Sequence, residues 1–159
     1  SFPTRRSSDL AAACTPGGRS FTHPSMLAFD APSREACVVR RSRTNTPLQA
    51  LVTMNDPQFI EAARILAENL VRQYPADDSA RARDAFRLLT SARPDARQLA
   101  ALTDYLAKER PLVTAAEAKT LLSKNGERAA DASLDPIEVT ATTHLIRLLL
   151  GFTETTMKP

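Results

Sequence analysis

Several residue types that mark particular protein classes are scarce in this sequence. Its 159 residues include no tryptophan, four glycines and two cysteines, and 5% of them are aromatic. Two cysteines allow at most one disulfide and exclude a metal site built from thiolates alone. A composition with so little glycine excludes a collagen-like repeat. The few aromatics do not alternate with basic residues, as a stacking surface for single-stranded nucleic acid requires.

Long hydrophobic runs are also missing. A membrane-spanning helix needs roughly 20 apolar residues, and the best candidate, Leu145 to Phe152, is short and contains Arg147. We therefore expect no membrane span. The hydrophobic share of 43% and the charged share of 25% are ordinary for a globular chain, which excludes wholesale disorder. The length is about that of one domain.

The first ten residues, Ser1 to Leu10, are interpreted as an artefactual segment. Read back through the genetic code, TCT TTC CCT ACA CGA CGC TCT TCC GAT CT encodes them, and this string resembles the end of a widely used sequencing adapter. We therefore exclude residues 1–10 from the fold. We also expect the natural chain to be truncated at its N-terminus, so that a signal peptide or an upstream domain would not be visible.

The charge balance gives little support for a nucleic-acid partner. The formal net charge is +3, and removing the adapter-like segment lowers it by one, because that segment contains Arg5, Arg6 and Asp9. The sequence has no zinc-finger, helix-turn-helix or RNP-like signature. We expect no nucleic acid among its partners.

Helical signals dominate the chain after residue 45, whereas residues 11–45 are predicted to be an irregular polar and basic lead-in. Apolar residues recur at spacings of three and four from residue 46 onward. Predicted helix starts lie at Thr46 to Gln49 and Thr114 to Glu117, both capping boxes, and at Asp56, Asp78 or Ser79, Pro94 and Asp135. Predicted stops lie at Asn55, Tyr74, Arg110 and Asn125 with Gly126, and Gly151 is predicted to be the C′ residue of the last helix. The pattern predicts an all-α fold, an irregular or orthogonal bundle of about six helices with an extended N-terminal lead-in. The helical bundle is predicted to span residues 46–159.

Acidic residues within the helices are given structural roles. Asp56 is expected to cap the helix that Pro57 begins, so Asn55 to Pro57 is not taken as a metal-binding turn. Glu61 is expected to face solvent or to pair with an arginine of the lead-in. Glu117 and Glu138 are explained by capping. We assign no catalytic residue and no metal ligand.

The polar end of the lead-in offers the candidate binding residues. We call residues 34–45 the arginine segment, and with Asp30 it supplies the tentative ligand-binding set: Asp30, Arg34, Glu35, Arg40, Arg41 and Asn45. Arginine forks suit carboxylates, phosphates and sugar hydroxyls, which favours a pocket for an anionic or polyhydroxylated ligand. The same residues also suit a structural network in which the two carboxylates pair with the arginines. Both interpretations stay open.

Cysteine and histidine add few functional signals. Cys14 and Cys37 could form a disulfide in an exported protein, although Cys37 is favoured as a buried free thiol. His23 could meet Cys37 as a nucleophilic pair, but nothing in their spacing requires it. His144 lies on an apolar helix and is taken as an ordinary helix side chain.

One stretch resembles a known family. Residues 29–51 read FDAPSREACVVRRSRTNTPLQAL, and residues 55–63 read NDPQFIEAA. They resemble the C-terminal planctomycete PSD domain, the domain of unknown function fifteen fifty-three, over residues 19–158. The match includes Arg93 to Asp95 and the terminal stretch Leu148 to Thr156. Gly151 to Thr153 replace the Asn-Leu-Asp of the family's terminal pattern.

The resemblance implies a context more than an activity. Such domains usually form the C-terminal part of large exported bacterial proteins, after a haem-c-like domain and another domain of unknown function. The resemblance implies that the helical bundle of residues 46–159 is the C-terminal part of a larger domain. The upstream domains of the same polypeptide would then be the partners, and the location would be the periplasm or the cell surface. Haem c is expected only upstream, because this chain has no C-x-x-C-H. The expected role is a non-catalytic interaction or scaffold module. The alternative is part of an active or binding site for extracellular polysaccharide or another anionic ligand.

Overall fold

The structure, a computed structural model, describes residues 28–30, 44 and 46–156. Regular structure in these residues is helical, and none of them lies in a strand. Within residues 46–156, six helices of nine residues or more are followed by one short helix: α1 Pro47–Asn55, α2 Pro57–Gln73, α3 Asp78–Thr90, α4 Ala96–Glu109, α5 Ala115–Lys124, α6 Pro136–Leu150 and α7 Thr153–Thr156. The prediction of an all-α bundle is confirmed.

The chain divides into two compact units, Ser1–Val52 and Thr53–Pro159, and the division falls within α1. In the first unit the buried Gln49 organises the start of α1. Its side-chain amide donates to the Thr44 carbonyl at 2.8 Å, and its Oε1 accepts from the Thr46 N–H at 3.5 Å. The second of these bonds is the glutamine half of the capping box that the sequence predicts here.

In the second unit, α6 is the central helix. It packs most extensively on α2 and also contacts α3, α4, α5 and α7. Leu145, Ile146 and Leu149 of α6 are fully buried, together with Ala67 of α2 and Leu106 of α4. Removal of these apolar side chains from water is the main term that holds the bundle together. No helix in the described ranges is both long and apolar enough to cross a membrane.

Capping side chains begin the helices as the sequence predicts in three cases. Asp56 accepts from the Gln58 N–H at 2.9 Å, and Asp135 accepts from the Ile137 N–H at the same distance. Proline follows each aspartate, at a position where its missing N–H costs no helical hydrogen bond. Thr114 accepts from the Glu117 N–H at 3.2 Å.

Three predicted helix ends are wrong by one or two residues. Helix α3 is capped by Asp77, which accepts from the Ala80 N–H, so Asp78 is already its first helical residue. Helix α4 begins at Ala96, not at Pro94, because Asp95 and Gln98 form a full capping box. Gly151 is the C-cap of α6 itself, with φ −78.

We expect Asp95→Ala to destabilise the second unit by about 1 kcal/mol, the usual cost of losing an N-cap. The Asp95 carboxylate accepts from the Gln98 N–H, and the Gln98 side chain accepts from the Asp95 N–H at 2.9 Å. Because the two bonds are reciprocal, a double-mutant cycle with Gln98→Ala should show coupling in urea unfolding. Strictly additive losses would contradict the capping box.

Candidate functional site

Of the ligand-binding residues that the sequence suggests, the structure describes Asp30. Its backbone is left-handed, with φ +54, and its carboxylate accepts from the Thr44 N–H and hydroxyl at 2.7 to 2.9 Å. Both residues belong to the first unit. Asp30 precedes the arginine segment in sequence, and Thr44 is the second-last residue of that segment. The remaining candidates lie outside the described residues, as do the cysteines and one histidine: Arg34, Glu35, Arg40, Arg41, Asn45, Cys14, Cys37 and His23.

A groove of about 720 Å³ lies in the second unit, between α5, the loop that follows it and the start of α6. Its volume is within the range of sites that bind small ligands or peptide side chains. We call it the α5–α6 groove. Its lining is mainly alanine, leucine, isoleucine and proline with a few polar groups: Ala115, Ala118, Lys119, Leu122, Ser123, Gly126, Glu127, Arg128, Ala129, Ala130, Asp135, Pro136 and Ile137.

One wall of the groove is held by a buried carboxylate. Glu61 of α2 is 5% exposed, and its Oε1 accepts from the backbone N–H groups of Glu127 and Arg128 at 3.0 and 2.9 Å. Gly126 allows this approach, because it has φ +93 and a Cβ there would lie 2.3 Å from Glu61 Cδ. The tight turn after α5 is therefore built around the Glu61 side chain.

A buried arginine holds the same loop from the next turn of α2. Arg64 has no exposed surface, and it bonds the Glu68 carboxylate and the Arg128 carbonyl, each at 2.6 Å. Glu68 is 2% exposed. Arg128 thus has its N–H bound by Glu61 and its carbonyl bound by Arg64. The wall of the groove is fixed to α2 by charge-assisted hydrogen bonds, which are the stronger kind.

Of the two expectations for Glu61, exposure to solvent is wrong, because the side chain is buried. The other, pairing with an arginine of the lead-in, concerns residues outside the described part of the chain. Among the described residues, Glu61 accepts from backbone N–H groups 66 and 67 residues away in sequence. A signal for this arrangement is present in the sequence: Glu61, Arg64 and Glu68 follow a helical spacing beside the apolar stripe of α2. Such a charged row is usually solvated, and the loop that buries it cannot be recognised from spacing alone.

We expect Gly126→Ala to destabilise the second unit by at least about 2 kcal/mol, from backbone strain at a positive φ and from overlap with Glu61. Gly151→Ala is the control, because a φ of −78 suits alanine and only a small change should result. Chemical denaturation of both variants measures the difference. Equal stability of the two variants would contradict the turn described here.

A second buried network joins the start of α6 to α3 and to the end of α4. Arg81 of α3 has no exposed surface and bonds Glu138 of α6 at 2.6 Å, and it also donates to the carbonyls of Tyr74 and Pro75. Arg110, at the end of α4, bonds both Glu138 and Asp78. The network joins three helices, so the explanation of Glu138 by capping alone is wrong.

The arginines change the ionisation of both carboxylates in this network. The hydrogen bond from Arg110 holds the pKa of Asp78 below its ordinary value of 3.8. Burial raises the pKa of Glu138, but hydrogen bonds from Arg110 and Arg81 outweigh burial and hold this pKa below 4.5. Both groups are therefore more acidic in the folded protein than in the unfolded chain.

Acid should destabilise the protein through this network. A carboxyl whose folded pKa is lowered contributes stability that is complete above its unfolded pKa and is lost as the pH falls through its folded pKa. We expect the free energy of unfolding to fall from about pH 4.5 towards pH 2. Glu138→Gln should make this fall shallower in urea titrations at a series of pH values. An unchanged slope would contradict the lowered pKa of Glu138.

Two further contacts of titratable side chains lie in the described ranges. His144 Nδ1 lies 2.7 Å from Glu109 Oε1, which links α6 to α4. Asp131 accepts from the Ser133 hydroxyl and N–H and from Arg72, and these bonds lower its pKa to about 2. Within the described ranges, no group of three or more histidine, cysteine, aspartate or glutamate side chains could hold a metal ion.

The charged groups that line the α5–α6 groove are unevenly paired. No carboxylate in the part of the chain that the structure describes pairs with Lys119 or Arg128. Of the two lining carboxylates, Asp135 already caps α6, which leaves Glu127. The groups left for a partner are therefore two cations and one anion, around a floor of apolar side chains.

Comparison with known proteins gave one match. The sequence model of a family described as PSD1, protein of unknown function (DUF1553), matches residues 5–106, which is more than half of the chain. The match includes the FDAPSREAC and TNTPLQAL stretches, and it begins inside the adapter-like segment, whose origin stays a prediction. No curated protein and no solved structure matches the sequence.

Proposed function

Since the chain belongs to the PSD1 family of proteins of unknown function (DUF1553), we propose that its helical part is a non-catalytic interaction module. It would sit at the C-terminus of a longer exported bacterial protein and contact an upstream domain of the same polypeptide. Any haem c would belong to such an upstream domain. The α5–α6 groove would receive a segment of that domain.

The observation that carries this proposal is the fixation of the groove wall. Glu61 and Arg64 bind the backbone of Arg128 from both sides, and both side chains are buried. Charged groups are costly to bury. Here two buried charged side chains hold in place a loop that has no regular secondary structure. Because this wall is already fixed, its loop loses little conformational entropy when a partner binds. Preformed, largely apolar grooves of this size are typical binding sites.

Selection from a random dodecapeptide library on phage tests the proposal. The immobilised bait is the full chain, and the two comparison baits are Ala115→Trp and Ala116→Trp. Both alanines are exposed in the first turn of α5, but only Ala115 lines the groove. We expect enriched peptides to lose binding to Ala115→Trp and to keep it with Ala116→Trp. The proposal would be contradicted if no peptide is enriched, or if the enriched peptides bind Ala115→Trp as well as they bind the unaltered chain.

The alternative, binding of an anionic polysaccharide by the arginine segment, has its support in the hydrogen bonds between Asp30 and Thr44. These residues lie 14 positions apart, on either side of the candidate arginines in sequence, and the Asp30 carboxylate accepts from both the backbone and the side chain of Thr44. Polygalacturonate is a suitable probe in a binding assay. Loss of binding in Arg40→Ala and Arg41→Ala, but not in Arg97→Ala, would favour this alternative. Equal binding by all three would exclude it.

A further inference from the structure

We propose that the α5–α6 groove binds a peptide segment in which a leucine-sized apolar side chain stands next to an acidic residue. This inference rests on the proposed function, because it specifies which segment the groove takes. The apolar side chain would enter the groove, and the carboxylate would meet Lys119 and Arg128 at its edge.

The floor and walls of the groove suit an aliphatic side chain. Leu122 is half-buried, Ile137 is 37% exposed, and Ala118 beneath them is buried. Small alanine side chains along the walls leave the space that the volume of about 720 Å³ describes. An aliphatic side chain that fills this space removes apolar surface from water on both partners, which is the main favourable term in such binding.

The two cations that line the groove, Lys119 and Arg128, favour an acidic residue in the partner. Lys119 and Arg128 have no carboxylate partner in the described part of the chain, and Glu127 is the one lining anion not already used as a cap. Helix α5 begins at the groove with a neutral cap, Thr114, and the positive end of its dipole favours a negative group there. Arginine and lysine together would hold a side-chain carboxylate through charge-assisted hydrogen bonds.

The backbone beside the groove favours a peptide over a free organic acid. No residue that the structure describes hydrogen-bonds to the backbone of Ala129 or Ala130. Both lie outside any helix or turn and line the groove. Their N–H and C=O groups can pair with the main chain of a bound segment, as in the addition of an extended peptide to an open backbone edge. A small carboxylic acid has no main chain to pair with them.

The test uses synthetic, N-acetylated and C-amidated octapeptides with the full chain. The host peptide has a central leucine with an aspartate on each side, and serine and glycine elsewhere. Comparison peptides replace the leucine by alanine, replace both aspartates by lysine, or carry an N-methyl group on one amide at a time. The free acid 4-methylpentanoate is the non-peptide probe. Binding is followed by NMR shifts of the Ala129 and Ala130 amides.

Matched variants of the protein separate charge at the groove from charge elsewhere. Lys119 lines the groove, whereas Lys124, on the same helix and also exposed, does not. We expect Lys119→Glu to weaken the host peptide at least fivefold and Lys124→Glu to change it less than twofold. The leucine-to-alanine and aspartate-to-lysine peptides should each bind at least fivefold more weakly to the unaltered chain. An N-methyl group should weaken binding only at those peptide amides that pair with the backbone of Ala129 or Ala130.

The outcomes distinguish this inference from the proposed function. Equal binding of the aspartate and lysine peptides, no effect of the leucine-to-alanine change, or equal effects of Lys119→Glu and Lys124→Glu would overturn it. Binding of 4-methylpentanoate as tight as that of the host peptide would overturn the peptide assignment. If the phage selection still yields groove-dependent peptides, the proposed function stands in each of these cases. If that selection fails, both fall.

Discussion

Arg81→Ala is expected to lower the free energy of unfolding by about 3–5 kcal/mol, the cost of removing one partner from a buried, charged hydrogen-bond network. The guanidinium bonds Glu138, the Thr142 hydroxyl and the carbonyls of Tyr74 and Pro75. Because Arg81 has no exposed surface, loss of its side chain leaves a cavity and leaves those two carbonyls without their hydrogen-bond donor. Urea unfolding monitored by circular dichroism measures the loss.

Arg83→Ala is the matched control for this prediction. It removes an arginine from the same helix, but one whose side chain is exposed and makes a single long bond of 3.4 Å to Ser79. Its effect should stay within about 0.5 kcal/mol, as for most surface substitutions. If the two variants unfold at the same urea concentration, Arg81 is not part of a buried network.

The helices were predictable because their signals are local. A cap such as Asp56 or Asp135 bonds N–H groups within two residues of itself, and the apolar stripe of α2 is read from spacing alone. The wrong cap predicted for α3 also follows from the local nature of these signals. Asp77 and Asp78 are adjacent and both can cap a helix, so the choice between them depends on packing.

The family, too, was recognisable from the sequence, because its motif residues are consecutive. The resemblance to the PSD domain rested on residues 29–51 and 55–63, with Arg93 to Asp95 and Leu148 to Thr156 further along the chain. The family match over residues 5–106 includes the first three of these stretches. Recognition of the family carries no site with it, since the family has no established function. The groove therefore had to come from the structure.

The buried charges were not predictable for a physical reason. Glu61 bonds N–H groups 66 and 67 residues away, and Arg81 bonds Glu138 across 57 residues. A charged side chain on a helix is usually solvated, so the sequence favours an exposed position for each of them. Only the packing of α2, α3 and α6 shows which charged residues are covered, and only the turn at Gly126 brings the loop to Glu61.

Arg64→Met should have an effect as large as that of Arg81→Ala, about 3–5 kcal/mol, because it leaves the Glu68 carboxylate buried without its arginine. It should also release the carbonyl of Arg128, and with it one of the two anchors of the groove wall. Hydrogen exchange at the Arg128 amide should become faster even under conditions where the bundle stays folded.

A second substitution separates these two effects of Arg64. In Arg64→Met with Glu68→Leu, the buried pair is replaced by apolar side chains, so much of the lost stability should return. The Arg128 carbonyl still lacks its donor, so exchange at the loop should stay fast and groove-dependent peptides should bind more weakly. Arg97→Met, which removes an exposed arginine of α4 with no hydrogen bond to the loop, is the control. A double variant that regains stability and also binds peptides as the unaltered chain does would show that Arg64 stabilises the bundle without shaping the groove.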